Sequence, residues 1–563
     1  MNKNRYALAA IVGVVAVVIL AYGPSLNNQF VIWDDDAHLL DNPFVRSFNL
    51  QDIFTTTVNR TYIPLTSLSF ALEYYFFKAS PFIYHLDNLL LHLAVTVMVY
   101  LFCLRCGLSV LASGLAVLVF GLHPTHVESV AWVAERKDVL CAFFYMLALL
   151  YYLRHLRRLE QGAAHRRGWE FWLTLMFGFL SVLAKPMALS LPLVLFLLDW
   201  FFRRKLTMRS CVEKIYCGLA VFPVAWITYV LQMRAPVIQL PDSVLIWIWC
   251  FTFYIKKMFY PDYFALIYHL PAPVALTNLN YVFAIFVFVI LLGGLWHFRR
   301  NRLFVFANFF YILSIFFLLR MDHRADLNVV GDRFLYLPML GWCMFLGDSS
   351  AKLWGRYRDS VMARAAFLFA GAAVLSFLFF QTARQTRVWY NETSLWEHQL
   401  RYQGQAATAL IYNKLARAYM QEPGFSNDLK KMQTAEDYLR EAIAIKPDYA
   451  QAYFHLGQLA ERRGDVSLAR IYFDRTIELD GGHFDAYFQL GRLCDRSGQY
   501  AQAIEAFDKA IAVQPDYEGM YYQILDFYDA TIAQGRPIYQ LERGKLADQY
   551  DHRFGVSGEK DAK

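Results

Sequence analysis

Three consecutive carboxylates, Asp34, Asp35 and Asp36, follow closely on an apolar run from Ala7 to Tyr22 that is long enough to cross a bilayer. Adjacent carboxylates repel one another and nearby lipid disfavours charge, so at least one pKa is pushed up toward the range of a general base. The bland alternative is a solvated loop that only ends the span. Further along, His123-Pro124-Thr125-His126-Val127-Glu128 leads into Glu135, Arg136, Lys137 and Asp138 between two apolar runs. Lys185-Pro186 stands in a later turn, and Asp322 to Asp326 with Gly331-Asp332-Arg333 in another. Charge at membrane depth is costly, so its repeated appearance on one face of the membrane implies a polar cavity there. Lys185 and Arg333, cations at span ends, need a partner, for which a lipid headgroup or a substrate phosphate would serve. Structural readings stand beside these. Thr125 and Glu128 have the spacing of a capping box. His123 before Pro124 can close a helix, and His126 and Glu135 can be interface residues beside Trp132. Zinc binding by His123, His126 and Glu128 lacks a fourth ligand or a known register.

The elements that must position these groups are mostly membrane helices. With 57% hydrophobic and 18% charged residues over 563 positions, the chain departs from soluble usage, and the polar last third makes the first two thirds very apolar. The formal charge of +7 comes from short basic loops between apolar runs, which orients a membrane protein and does not indicate nucleic-acid binding. The eight cysteines, Cys103 and Cys106 among them, suggest packing and no disulfide framework. Lys3 and Arg5 precede a first span expected to be retained, with the N-terminus cytoplasmic. A non-membrane loop over residues 23–84 follows, whose stretch Leu68 to Phe77 suits a helix lying in the interface.

Later spans are expected near Leu86–Leu104, Leu108–Leu122, Val139–Leu153, Phe171–Ala184, Met187–Phe202, Ile215–Leu231, Tyr281–Trp296, Phe304–Leu319, Phe334–Leu346 and Ala365–Phe380, for about eleven crossings of a roughly 30 Å core. Basic groups at 154–167, 203–205, 299–302 and 352–364 all fall inside if Val244 to Leu270 enters and returns or lies in the interface. From Ala409 a helical repeat begins. Tyr453, Leu456, Gly457, Ala460, Ala469 and Phe473 recur as Tyr487, Leu490, Gly491, Cys494, Ala503 and Phe507, at the roughly 34-residue period of tetratricopeptide repeats. An interrupted earlier copy starts at Tyr412, with Gly424 to Lys431 as insertion. Tyr521 to Tyr528 reads as a capping remnant and Gly555 to Lys563 as a disordered tail. The expected class is therefore all-α: a polytopic helix bundle over 1–383, a connector over 384–408, an α-solenoid over 409–554 and a tail over 555–563.

The acidic run, the His-Pro-x-His-x-Glu-x-Val-Ala segment with Arg136 and Asp138, Lys185-Pro186, Gly331 to Pro338, and Thr386 to Trp396 ahead of the repeats occur in one order along nearly the whole chain. In this the sequence resembles the transmembrane and tetratricopeptide-repeat-containing O-mannosyltransferases and their bacterial relatives. The resemblance implies a GT-C glycosyltransferase fold, a polyprenyl-phosphate-linked sugar as donor, and repeats on the outer, periplasmic side of a bacterial inner membrane; Trp33 and the third Asp fit the bacterial branch. On this reading Asp34 or Asp35 is the base of an inverting displacement, with Asp34 preferred by resemblance. Arg136, Lys137, Lys185 and Arg333 are candidates for the donor phosphate. Asp36, His123, His126, Glu128, Glu135, Asp138 and Asp332 line the pocket. A divalent metal, Mg or Mn, is left open as an aid to the leaving phosphate. The expected acceptor is a Ser or Thr hydroxyl of a protein, held by the repeats. The alternatives are a non-enzymatic scaffold recruiting partners through its repeats and a transferase acting on lipid-linked glycan. A transporter is disfavoured because the charges gather on one side.

Overall fold

The structure is a computed structural model of the chain, and it describes residues 2–162, 168–232, 240–321, 329–357, 359–404, 408–515 and 517–554. The expected pocket segment Asp322 to Asp326, the end of the basic loop at 154–167, and the expected disordered tail lie outside the described residues. The chain divides into two compact units, Met1–Leu395 and Trp396–Lys563.

The first unit begins with α1 (Asn2–Tyr22), followed by the short helices α2 (Pro43–Arg46), α3 (Leu50–Thr55) and α4 (Pro64–Phe77). The bundle proper comprises α5 (Pro81–Arg105), α6 (Val110–Leu122), the single turn α7 (Val127–Ala131), α8 (Arg136–Glu160), α9 (Trp169–Ala184), α10 (Leu191–Phe201), α11 (Met208–Gln232), α12 (Asp242–Phe259), α13 (Leu279–His297), α14 (Arg302–Ile315), α15 (Leu340–Arg356) and α16 (Val361–Val388). Among the described residues, six helices are long and apolar enough to cross a bilayer, or seven if α6 and the Pro124–Ala131 segment, bent by 49°, form one span. Trp169–Ala184, Pro186–Phe201 and Arg302–Leu318 are apolar but shorter. All of the expected crossings contain helix, but fewer pass on length than the eleven expected. The stretch Phe334–Leu346 differs most: a 3-10 turn covers Asp332–Leu335 and α-helix starts only at Leu340. Pro338 has no N–H to give to a preceding turn, so the regular helix begins after it.

Polar caps start the apolar helices where the chain re-enters the bundle. Ser109 accepts from Ala112 N at 3.1 Å ahead of α6, and Asn301 from Phe304 N at 3.2 Å ahead of α14. Small residues then bring helices into contact. A Cβ on Gly347 of α15 would collide with Ala112 O and Ala116 N of α6, and one on Gly341 would sit 2.9 Å from Ala307 Cα of α14. The ambiguous stretch Val244–Leu270 is α12 and the chain that leaves it. Asp242 lies within electrostatic reach of Tyr281, and Trp247 and Phe251 pack on Phe288 at 6.0 and 5.5 Å. The helices α12 and α13 therefore run parallel, and residues 260–278 carry the chain back to the level at which α12 began.

At one end of the bundle a buried ion network ties α8, α10 and α11. Tyr152 donates to Asp199 at 2.6 Å, Lys214 pairs with Asp199, and Arg204 pairs with Glu213 at 2.6 Å. None of this was visible as a motif, because its members are spread over about sixty residues and meet only through helix packing.

The helix α17 (Glu392–Gln403) contains the division point, and the second unit goes on in paired helices: α18 (Ala409–Gln421) with α19 (Leu429–Ile445), α20 (Ala450–Arg462) with α21 (Val466–Leu479), α22 (Phe484–Arg496) with α23 (Tyr500–Val513), and α24 (Glu518–Ala533) with α25 (Gln540–Phe554). The repeat glycines earn their place by close approach: a Cβ on Gly457 would meet the Phe473 ring at 2.5 Å and one on Gly491 the Phe507 ring at 2.6 Å. The insertion expected from Gly424 is a left-handed turn at Gly424, φ 77°, and a 3-10 turn closed by Asp428 as N-cap of α19. Tyr521 to Tyr528 is more than a remnant, since α24 pairs with α25 and buries Tyr528, Tyr539 and Leu546 in a common core.

Replacing Gly347 by Val should lower stability by about 1–3 kcal/mol, the usual range for overpacking a tight contact. Thermal unfolding of the detergent-purified protein measures this, and an unchanged midpoint would contradict the contact of α6 with α15.

Candidate active site

The polar groups converge at the end of the bundle opposite the Asp199 network. The centre is Glu135, in the 3-10 turn that caps α8. Its Oε1 pairs with Lys137 Nζ at 3.1 Å and Arg333 Nε at 3.2 Å, and its Oε2 with Lys185 Nζ at 3.3 Å. Lys185 also reaches Asp138 Oδ1 at 2.6 Å, whose other oxygen accepts from Ser129 Oγ at 3.1 Å. Glu128 takes the Arg333 backbone N–H at 3.0 Å on Oε2 and pairs with the guanidinium on Oε1. Its carboxylate is thus spent on Arg333, and the capping-box reading of Thr125 and Glu128 is corrected. The network holds three cations and three carboxylates that are nearly dry. Lys137 is its loosest member, with one acidic partner where Lys185 and Arg333 each have two.

The acidic run divides its work. Asp35 is buried, and its two oxygens accept from Val31 N and Ala134 N, both at 2.8 Å. It staples the loop after α1 to the turn that carries Glu135, and burial raises its pKa to about 7 in spite of those two donors. Asp34 is half-buried. Its Oδ1 accepts from Asn59 Nδ2 at 2.9 Å, and Oδ2 has no hydrogen-bond partner among the described residues. Burial raises its pKa, opposed by the charge of Lys137 and, after the adverse Glu135, by that of Arg333. Asp34 therefore lies within electrostatic reach of the cation network. Asp36 keeps Oδ1 buried and unpartnered. Asn59 stands in a tight turn, closed by the Val58–Thr61 bridge, in which Asn59 and Arg60 both have positive φ, 47° and 60°. Arg60 lacks glycine's freedom there, so the turn is strained where it presents Asn59 to Asp34.

Other expected members lie elsewhere. Arg136 is 1% exposed and faces away from this network: it pairs with Glu73 at 2.6 Å, donates to Asn88 Oδ1 at 2.8 Å and Tyr84 O at 3.0 Å, and stacks on Phe70 at 4.6 Å. Its helix position is one residue past Glu135, which turns its side chain to α4 and α5, so its assignment to the donor phosphate is corrected to a scaffold contact. His123 contacts Met258 O at 3.1 Å and Thr125 at 2.7 Å, and His126 is enclosed by Phe120 and Tyr336 at 4.6 Å each. With Glu128 on Arg333, these three do not converge on an ion, and no group of three or more potential metal ligands occurs among the described residues. Asp332 accepts from Tyr268 at 2.6 Å, and burial, against the opposing Lys257, lifts its pKa to about 7. Sequence reasoning missed Asn59 and His38. Burial, with the charge of Lys137 acting the same way, pushes the imidazole of His38 down to about 3, so it stays neutral. Its only signal was its place one helical turn after Asp34, where its N–H returns to Asp34 O at 3.0 Å.

The two neighbouring acids should separate experimentally. Asp35→Asn turns an acceptor toward a backbone donor into an amide N–H, and should cost about 1–3 kcal/mol of stability. Asp34→Asn should leave the unfolding midpoint in place, since its outer oxygen is free. Equal destabilisation of the two variants in thermal unfolding would refute this division.

Two family models described as "Tetratricopeptide repeat" match residues 429–484 and 484–517. In sequence the chain is 28% identical over 224 residues to human "Protein O-mannosyl-transferase TMTC4", covering 36% of this chain and 30% of that protein. It is 33% identical over 162 residues to mouse "Protein O-mannosyl-transferase TMTC1", covering 26% and 16%, and 32% identical over 206 residues to Drosophila melanogaster "Protein O-mannosyl-transferase Tmtc1", covering 34% and 23%. The chain thus spans less than a third of the length of these curated relatives. Among solved structures, the crystal structure of MamA is 23% identical, covering 28% of this chain and 86% of MamA with a TM-score of 0.22. That of YrrB, titled a TPR protein with an unusual peptide-binding site, is 19% identical, covering 41% and 96% with a TM-score of 0.21. By its matched residues and its repeats, the chain is a relative of the TMTC protein O-mannosyl-transferases.

Proposed function

We propose that the chain is a membrane glycosyltransferase that moves a sugar from a polyprenyl-phosphate donor to a Ser or Thr hydroxyl of a protein on the outer face of the membrane, with inversion at the anomeric carbon. The observation that carries this is Asp34: a half-buried carboxylate with one oxygen oriented by Asn59 and the other free, within reach of the charges of Lys137 and Arg333. In the reaction the acceptor oxygen forms a bond to the anomeric carbon opposite the phosphate. Its proton passes to Asp34 Oδ2. The bond from that carbon to the phosphate oxygen breaks, and the electron pair stays on the lipid phosphate. Lys137, freest to leave its single partner, meets that developing charge, while Lys185 and Arg333 supply fixed positive charge behind it. No step is routed through a metal, and a Mg or Mn contribution is left to the assay. A lipid donor suits the surroundings: Tyr75, Phe76, Phe77 and Phe82, around the end of α4 and the start of α5, are exposed apolar side chains of the kind that sit at a membrane interface. The repeats offer the type of surface that binds an extended acceptor peptide, and the names of the matched relatives favour mannose as the sugar and protein as the acceptor.

A second reading has its own observation. Three cations balanced by three carboxylates is also what a non-catalytic scaffold would need to hold its helices together. Asp34 separates the readings, because it belongs to no ion pair in that balance.

Asp34→Asn should reduce sugar transfer by about 10²–10⁴-fold, the usual contribution of a positioned base, with folding intact. Membranes carrying wild type or variant, supplied with defined polyprenyl-phosphate sugars and read by mass spectrometry of products, test this; full activity of a folded variant would leave only the scaffold. Sugar on lipid-linked glycan and none on protein would redirect the acceptor assignment.

The pH dependence follows from the same carboxylate. It must be ionised to accept a proton, so the rate falls as pH drops through its pKa, and burial sets that fall above the ordinary Asp value of about 3.9. Asn59→Ala removes a donor that favours the ionised form and should move the acid limb of kcat/KM to higher pH. A lower rate with an unmoved limb would show that Asn59 does not orient the base.

A further inference from the structure

The end of the bundle remote from Asp34 carries an open depression of about 490 Å³, lined by Arg203, which is exposed, and by Arg302, Lys352, Asp348, Phe201 and Leu303, among others. Its charges are unequal. Lys352 and Asp348 satisfy each other at 2.5 Å. Arg302 donates to Trp200 O and, at 3.0 Å, to Phe201 O, and its guanidinium lies 4.8 Å from the Trp200 ring centre; its Nε is buried without a hydrogen-bond partner. Arg203, whose charge acts on Arg302, has no side-chain hydrogen bond or ion pair among the described residues. Two guanidiniums thus line the depression without an ion pair among the described residues, and the one carboxylate in its lining, Asp348, is paired with Lys352.

The backbone makes the same point independently. Arg203 N–H bonds Trp200 O at 3.1 Å and Arg204 N–H bonds Asp199 O at 2.9 Å, which closes α10 with a turn that ordinarily places glycine at its left-handed position. Arg203 occupies that position with φ 56°. A bulky residue held in a conformation suited to glycine points to a use for its side chain. Its neighbour Arg204 is taken up by Glu213, Asp199 and Tyr152 in the ion network, whereas Arg203, which lines the depression, is left without an ion pair among the described residues.

We infer that this open depression binds a glycerol-linked phosphate, carried by the headgroup of an anionic phospholipid or by a soluble phosphate ester, with Arg203 and Arg302 on the phosphate and Phe201 and Leu303 against the glycerol. Paired guanidiniums match phosphate oxygens in charge and geometry. The same end of the bundle also carries Arg105 and Arg157, which donates to Arg105 O at 3.2 Å, a bias of charge that draws anionic lipid. The site lies away from the transfer centre and does not depend on the activity assigned there.

Arg203→Gly tests the inference without endangering the fold, because glycine relieves the left-handed backbone while the guanidinium is removed. The full chain is placed in nanodiscs of phosphatidylcholine with a minor share of phosphatidylglycerol, and lipid retained after detergent extraction is read by native mass spectrometry. A parallel arm measures binding of glycerol 1-phosphate by calorimetry. Wild type should retain phosphatidylglycerol over phosphatidylcholine, and Arg203→Gly should lower that retention about fivefold with an unfolding midpoint equal to or above wild type. Loss confined to the calorimetric arm would identify the soluble ester as the ligand. Retention and ester binding that are both the same in wild type and variant would overturn the assignment.

Discussion

The carboxylate of Glu135, with Lys137, Lys185 and Arg333 within ion-pair distance, is the contact on which the candidate site depends. Those cations arrive from the start of α8, the turn after α9 and the 3-10 turn before α15. Each would be costly alone in so dry a place, and removing a partner from a buried network leaves an uncompensated charge, typically a loss of about 3–5 kcal/mol. The helices are therefore held in register by an electrostatic requirement as much as by packing. In the reaction proposed above, the same contact would hold the cations ready for an anion, since a phosphate entering beside Lys137 would compete with one carboxylate and would not have to pull a lysine out of water.

Around that hub the chain uses buried polar staples to bring in distant segments. Asp35 clamps the loop after α1 to the turn at Ala134, Thr66 Oγ1 donates to Ala184 O at 3.0 Å, and Thr382 Oγ1 of α16 donates to Leu122 O at 2.7 Å. Gln29 N–H donates to Tyr390 O at 2.7 Å, and Trp132 stacks on Trp389 at 5.2 Å. The early acidic loop and the last helix of the bundle thus meet at one end. The Asp199, Lys214, Arg204 and Glu213 network fastens the other end. Between them the helices touch through glycine and alanine, an arrangement in which van der Waals contact replaces the hydrophobic driving force that lipid cannot supply.

The acidic run illustrates how far residue type and position can be separated. Three identical side chains in a row had the same chemistry on paper. In the folded chain one accepts two backbone amides, one is oriented by Asn59 with a free oxygen, and one keeps an unpartnered oxygen in the interior. Asp34 lies in the turn before a π-type element that starts at Asp36, with Asp35 at its N-cap, so the three neighbours occupy different local structure, which adjacency alone does not express. Arg136 and Lys137 show the same effect on a helix start, where successive side chains are about 100° apart: one enters the contact with Glu73, the other the Glu135 network.

Composition, apolar run length and repeat period were enough, without coordinates, to establish an all-helical membrane bundle followed by tetratricopeptide repeats, because hydrophobic burial and helical periodicity are local properties of sequence. The same was true of the set of polar residues to inspect, since charge inside apolar sequence needs a reason. Tertiary structure alone decided which of them meet. Asn59 and Asp34 are 25 residues apart and Glu128 and Arg333 are 205 apart, and such pairings are set by helix packing and by backbone turns whose direction no single stretch of sequence encodes. It also decided that Asp35 and Arg136 are buried scaffold contacts while Asp34 and Lys137 stay partly exposed, because a side chain's partners depend on its angle around an element as well as on its type.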